Sequence, residues 1–342
     1  MGFWNEVGKL YCLAQVNLGR ALSWKERRLS NKIRLTAMFP YAMIVGIANK
    51  VRGILETRHM RRERHEKYHL AIVAIAKNEG RYIAEWCAWH QLIGVDCIIV
   101  YDNDSTDDTL QVLQPFIDIG FVIYNTINGR ARQMDAYNDA IKRYGQLCRY
   151  MAIIDCDEFL HPLNEGETLK NIVDSTFEHS KNIGGIAVNW TVFGTSGHTT
   201  KIPGLVMERF THRSKPDFVP NIHVKSIVCP ECIKSYPNPH YAIYRKGFYC
   251  VNMKGHFVSG PFSPIADGWY RLRLEHYYTK SNEEYLKRRE QGCADSLLTK
   301  RTIEDMYSYD RNEVSDTTMA CHSSKIRKML EAIYSKEYVT NL

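Results

Sequence analysis

Between residues 68 and 163 the chain switches repeatedly between two hydrophobic patterns. HLAIVAIAKNEG, DCIIVYDNDSTDD, FVIYNT and YMAIIDCDEFLHP are apolar runs of small and β-branched residues that stop at polar clusters. Such runs predict strands buried on both faces, as in a parallel sheet. Between them, RYIAEWCAWHQLIG, TLQVLQPFIDIG and RQMDAYNDAIKRYG place apolar residues at helical spacing, the first two ending at Gly94 and Gly120. The order β-α-β-α-β-α-β predicts an open, doubly wound α/β sheet. In such sheets ligands bind beyond the carboxyl ends of the strands. Those ends read AKNE, YDND and DCDE.

Beyond residue 163 the alternation weakens. IGGIAVNWTVFGTSGH predicts a strand with a glycine-rich end, residues 201–264 suit loops and short antiparallel strands, and WYRLRLEHYYTKS predicts a last strand. SNEEYLKRREQGCADSLL predicts a helix with Ser281 as N-cap and Glu284 completing a capping box. The tail 302–342 also reads as helical. The expected organisation is a basic helical arm over 1–67, an α/β domain over 68–300 and a helical tail over 301–342.

Charge sharpens that division. The 342 residues carry net +7, but residues 1–69 hold 14 Lys/Arg against 5 Asp/Glu, net +9, and the remainder is net −2. A basic arm suits an anionic membrane surface or a solvated helix pair, and it lacks any nucleic-acid-binding motif, so no nucleic acid is expected. Its apolar stretch, residues 35–48, is short for a spanning helix and contains Pro40, and with its basic flanks it reads as an amphipathic segment that packs on the main body or lies on a membrane. The start has neither a secretory-signal nor a myristoylation pattern. The expectation is a cytoplasmic protein, peripheral at the inner membrane face. The ten cysteines sit mostly in apolar runs, as buried thiols do in a reducing compartment.

The chemistry concentrates in IIDCDEF. Asp155 and Asp157 stand two apart at the end of a buried strand, so on extended backbone they point to one side, followed by Glu158. Two hard oxygen ligands suit Mg²⁺ or Mn²⁺ that also holds a diphosphate. In YDNDSTDDT, Asp102 and Asp104 can accept hydrogen bonds from a ribose or a base edge, while Ser105, Thr106 and Asp107 read chiefly as a helix cap. There is no GxGxxG and no GxxxxGK[ST], which disfavours a dinucleotide cofactor and excludes a P-loop.

AIAKNEGRYIAEWCAWHQLIGVDCIIVYDNDSTDDT, RQMDAYNDA, IDCDEF, NWTVFGTSGH, VKSIVCP, NPHYAIY and HYYTKSNEEYLKRREQG together resemble the GT-A glycosyltransferases, in particular glycosyltransferase family 92 and its bacterial, family-2-like relatives. The resemblance spans about residues 70–295 and leaves out the arm. It implies a GT-A fold, a UDP-sugar donor and a divalent metal, usually Mn²⁺. It makes Asp155 and Asp157 the metal and diphosphate ligands. It assigns Ala76, Lys77, Asn78 and Glu79 to the first nucleotide loop, and Asp102 and Asp104 to the second. Arg130, Arg132 and Gln133 match positions facing the donor. His276, followed by Lys280, resembles the histidine and lysine with which related enzymes hold metal and diphosphate; His240 in NPHY is the alternative metal ligand.

The family resembles inverting enzymes, which need a base on the acceptor hydroxyl. Asp217, Glu208, Glu275, Asp295 and His198 are all open for that role. Trp190 and Trp269 read as core residues or as sugar-stacking faces. The resemblance points to a metal-dependent transfer from a UDP-sugar, with galactose as the family's commonest sugar, to a glycan or glycolipid hydroxyl in cell-surface polysaccharide or lipopolysaccharide synthesis. The alternatives are a nucleotidyltransferase, which lacks its glycine-rich basic signature here, and a non-enzymatic nucleic-acid- or membrane-binding module.

Overall fold

The computed structural model describes residues 2–14, 29–62, 65–264, 269–290 and 302–338. The basic N-terminal segment forms helix α1 (Gly2–Leu13) and helix α2 (Leu29–Arg62), the latter continuous through Pro40. The alternating region follows as β1 (Tyr68–Ala76), α3 (Ile83–Leu92), β2 (Cys97–Asp102), α4 (Thr109–Asp118), β3 (Val122–Thr126), α5 (Gln133–Tyr144) and β4 (Cys148–Ile153). Then come β5 (Glu158–Pro162), α6 (Leu169–Glu178), β6 (Ile183–Val192), the single turn α7 (Val206–Arg209) and β7 (His212–Arg213). Strands β8 (Val224–Val228), β9 (Ile233–Asn238), β10 (Tyr241–Tyr244), β11 (Tyr249–Asn252), β12 (Phe257–Val258) and β13 (Leu272–His276) precede α8 (Asn282–Glu290), α9 (Ile303–Tyr309), β14 (Val314–Ser315) and α10 (Ser323–Tyr338).

Among the described residues the main sheet runs β12-β11-β6-β8-β4-β1-β2-β3, with β13 joined to β6 and β5 to β13. The predicted parallel centre is present: β1 pairs with β2 at Ala76↔Asp102 and with β4 at Val73↔Ile153, and β2 pairs with β3 at Asp102↔Thr126. These registers bring the polar strand ends to one edge. The sheet is mixed beyond β4, because β8 inserts antiparallel between β4 and β6.

The expected single strand through IIDCDEF is in fact two. Strand β4 stops at Ile153, and β5 starts at Glu158 in a different pairing, antiparallel to β13. The chain turns between them because the Asp155 amide donates to Glu158 Oε2 at 2.8 Å and the Glu158 amide donates to the Asp155 carbonyl at 3.1 Å.

The arm packs on the sheet. Phe257 of the edge strand β12 donates its amide to Asn5 Oδ1 at 2.6 Å, and Leu13 joins the main core. Asn182, before β6, donates to the carbonyls of Gly247 at 2.7 Å and Lys50 at 3.1 Å. A Cβ on Gly53 would come within 2.8 Å of the Gly247 carbonyl oxygen, so α2 needs glycine to lie this close. The tail packs on the same body: Ile326 of α10 is fully buried in the core, and Tyr334 donates to the Val112 carbonyl at 2.7 Å.

Candidate active site

The turn between β4 and β5 sends its two aspartates apart. Asp155 accepts from Gln133 Nε2 at 2.7 Å and Tyr137 Oη at 3.0 Å, both on α5, and from Lys225 Nζ of β8 at 2.8 Å. Burial opposes its ionisation, but the Lys225 ammonium outweighs it and holds the pKa below the usual carboxylate range. Lys225 is itself buried and lies 3.7 Å from Glu158 Oε2. Glu158 is fully buried, and burial pushes its pKa well up against the opposing Lys225 charge. Its other oxygen accepts from Trp190 Nε1 at 2.6 Å.

Asp157 is expected from the sequence to be exposed at a strand end, and it is instead 1% exposed. The reason is the strand that covers it. Register places His276 of β13 opposite Glu158 of β5 and Val192 of β6, and the Tyr277 amide donates to the Asp157 carbonyl at 3.0 Å. His276 Nε2 stands 3.4 Å from Asp157 Oδ2, and Arg288 of α8 pairs with the same oxygen. Despite burial, Arg288, His276 and Lys280 hold the Asp157 carboxyl well below its usual range. Among the described residues Asp157 Oδ1 and His276 Nδ1 are buried with no hydrogen-bond partner.

Lys280 has φ 51°, and its ammonium lies 4.5 Å from the ring centroid of Tyr82. Burial, and next the charge of Arg288, pull its pKa down, while Glu79, Asp157 and Glu284 oppose. Its cradle is fixed by a buried chain of contacts. Tyr82 Oη donates to Glu284 Oε1 at 2.8 Å, and Arg209 bridges both Glu284 oxygens at 3.0 Å. The predicted capping box is present, with Ser281 Oγ accepting the Glu284 amide at 3.3 Å and the Ser281 amide donating to Glu284 Oε2 at 3.1 Å.

His240 lies on the Asp155 side. Its Nδ1 is 3.1 Å from the Val224 carbonyl, and burial, with the nearby Lys225 charge, lowers its pKa to about 3. It is therefore neutral, as a ligand must be. Trp190 is enclosed by the rings of His223, His240 and His276 at 4.8, 5.2 and 4.3 Å, a core residue rather than an open sugar platform. Trp269 donates to the Trp190 carbonyl at 3.1 Å, and Arg213 lies 5.1 Å from its ring.

The loops that follow β1 and β2 are stitched to each other. The Asn78 amide (φ 55°) donates to Ser105 Oγ at 2.9 Å, and Asn78 Oδ1 accepts the Thr106 amide at 2.7 Å. The Glu79 amide donates to Thr109 Oγ1 at 3.0 Å and the Gly80 amide to Asp107 Oδ2 at 3.1 Å. A Cβ on Gly80 would fall 2.1 Å from Asp108 Oδ1, so a larger residue there would push the Asp108 side chain aside. Ser105 and Asp107 thus tie loops together, and only Asp107 also bonds the first turn of α4, through the Thr109 amide at 3.0 Å.

Asp102 is buried with both oxygens engaged, by the Ser105 amide at 2.8 Å and Tyr124 Oη at 2.9 Å. It shapes the loop. Asp104, exposed at φ 56°, accepts the Gly129 amide at 2.8 Å. Lys77 is partly exposed beside buried Ala76, Arg130 is exposed, and Arg132 pairs with Asp135 at 3.0 Å.

The base candidates separate clearly. Glu275 faces away from His276 on β13, fully buried, with Oε1 2.6 Å from both Arg273 Nη2 and His161 Nδ1. His198 Nε2 lies 3.0 Å from the Arg209 carbonyl, and Glu208 pairs with Arg327. Asp217 is exposed on a loop whose neighbour Phe218 packs on Tyr309, which packs on Tyr278 beside His276. Asp295 lies outside the described residues.

Sequence reasoning misses Arg288, Lys225, Tyr82 and Arg209. Arg288 sits in KRRE, which reads as a solvated face, and its one signal is its i+4 spacing from the capping Glu284. Lys225 alternates with apolar residues in VKSIV and looks outward-facing until β8 is known to lie inside the sheet.

The profile of glycosyltransferase family 92 matches residues 73–245. A glycosyltransferase family 92 protein of Ricinus communis is 30% identical over 264 residues, covering 74% of this chain and 47% of that protein. A galactan beta-1,4-galactosyltransferase of Arabidopsis thaliana is 30% identical over 111 residues, 29% of this chain and 21% of its own. The chain thus spans less than half the length of these curated relatives. Among solved structures, S. aureus TarS 1–349 in complex with UDP-GlcNAc is 13% identical with a TM-score of 0.34, covering 80% of this chain and 74% of that one. The profile match extends over half of the sequence and includes the loops after β1 and β2, the Asp155–Asp157 turn and β8, and the chain belongs to glycosyltransferase family 92.

Proposed function

We propose that this chain is a metal-dependent, inverting glycosyltransferase that moves a hexose from a UDP-sugar to a hydroxyl of a glycan or glycolipid. The observation that carries the reading is the group gathered at the strand ends: Asp157 and His276, with Arg288 and Lys280 beside them. Three cationic or ionisable groups around a buried carboxylate suit a diphosphate.

Among the described residues no three His, Cys, Asp or Glu side chains form a metal cluster. The donor set nonetheless fits a divalent cation held jointly by protein and substrate. Among the described residues Asp157 Oδ1 lacks a partner, and His276 presents an imidazole to the same carboxylate. Mg²⁺ or Mn²⁺ often takes one or two protein ligands and completes its shell with phosphate oxygens and water. When bound, such an ion stabilises negative charge on the departing diphosphate. Lys280 supplies a second positive charge from its place over Tyr82, and Arg288 a third. The knitted loops at Asn78 and Asp104 hold the nucleoside end. Among the described base candidates Asp217 is the exposed carboxylate, and it is assigned to the acceptor hydroxyl. The similarity to the galactan beta-1,4-galactosyltransferase of Arabidopsis thaliana favours galactose as the sugar.

A UDP-sugar panel, assayed for UDP release with Mn²⁺ and with chelator, tests the reading. Release should be fastest from UDP-galactose and vanish in chelator. Pyrophosphate release from a nucleoside triphosphate and a sugar phosphate would instead identify a nucleotidyltransferase.

A further inference from the structure

We propose that the outer face of α2 is a docking surface for an anionic phospholipid bilayer, on which the helix lies without crossing it. The inner face is already covered: Ala42 is buried against α1 in a cluster with Tyr11, and Gly53 lies against Gly247. The outer face is apolar. Ile33, Tyr41, Ile44, Ile47, Val51 and Leu55 are all exposed, Ile44 at 74% and Leu55 at 58%. At about 100° per residue these six fall within a sector of about 120°. Scattered apolar residues on a surface are ordinary, whereas a continuous stripe over six turns marks an interaction site.

Charge selects the occupant. The sequence of α2 carries seven Lys/Arg against one Glu, gathered before and after its apolar middle. Exposed Lys50 and Arg52 flank the stripe on opposite sides, where their stems can lie along apolar surface with the charges at headgroup level. A second copy of the chain is disfavoured as the occupant, since it would oppose two arms of net +9. Among the described residues no helix is long and apolar enough to cross a membrane. A bilayer surface rich in anionic lipid satisfies both the stripe and its flanks. Because Asn182 and Gly247 fix α2 to the start of β6 and β11, lipid contact would hold the whole sheet in one orientation to the membrane. This docking is independent of the chemistry at the strand ends.

Flotation of the full chain with vesicles tests it, using phosphatidylcholine alone and phosphatidylcholine mixed with phosphatidylglycerol. The protein should float with the mixed vesicles and not with the neutral ones, and added salt should weaken binding. The double variant Ile44→Asp/Val51→Asp, whose sites face solvent, should bind at least about tenfold more weakly while melting like the parent. Equal flotation of parent and variant, or none with anionic vesicles, would overturn the proposal. So would a lipid-free dimer of the parent that the variant converts to monomer, which would make the stripe a contact between copies.

Discussion

Arg288 of α8 and Asp157, 131 residues apart, form an ion pair in which the carboxylate side chain is 1% exposed and the guanidinium 19%. The pair fastens α8 to the turn after β4. It also keeps Asp157 ionised and Arg288 protonated, each against the pull of burial.

Arg288→Met should therefore lower stability by about 3 kcal/mol, because it strands a buried carboxylate. Thermal melts of the parent, Arg288→Met and Arg288→Lys measure this, with lysine restoring part of the loss. Unchanged melting in the methionine variant would mean that the pair does not form.

Asp157→Asn and Asp155→Asn should differ in their effect on activity. Each unpairs a buried cation, Arg288 in the first and Lys225 in the second, so both should lower the melting temperature. Asp157→Asn also removes the charge facing His276 and should cut UDP release by about a hundredfold or more at a temperature where the variant is folded, whereas Asp155→Asn should lower it far less. Parallel melts and UDP-release assays separate the two. Identical behaviour would return the two aspartates to the shared role that their spacing suggests.

Glu85 provides a pH prediction away from the site. It is buried and accepts the amides of Val206 and Met207 at 2.6 and 3.0 Å, yet burial raises its pKa from its usual 4.5 to about 7. A raised carboxylate means that the folded state keeps a proton which the unfolded state gives up. Its contribution is complete below about pH 4.5, falls as pH rises, and levels off above about 7, a change of about 3 kcal/mol. Urea unfolding across this range should show Glu85→Gln gaining on the parent as pH rises. A constant difference would place the Glu85 carboxyl at its ordinary pKa.

The parallel centre of the sheet is legible in the sequence because strands buried on both faces must be continuous apolar runs, and β1 and β2 are. The polar strand ends are legible for the same reason: Ala76, Asp102 and Ile153 lie where those runs stop. The divergence of Asp155 and Asp157 is not, since it depends on Glu158 turning back to the Asp155 amide, and the residues DCDE alone would equally continue a strand. Nor is the pairing of Lys225 with Asp155, or of Arg288 with Asp157, because each joins segments at least 70 residues apart. The arm's charge is plain in sequence, but one part of its packing is a bare backbone contact at Gly53, which leaves no hydrophobic signal, while the apolar contacts of Leu13, Tyr11 and Ala42 do leave one.

The location of Mn²⁺ anomalous scattering in crystals of the full chain grown with UDP and Mn²⁺ is the most direct measurement. The account predicts one peak touching Asp157 and His276, with the diphosphate between that peak and Lys280. A peak on Asp155 and His240, or UDP bound away from the ends of β1 and β2, would contradict it.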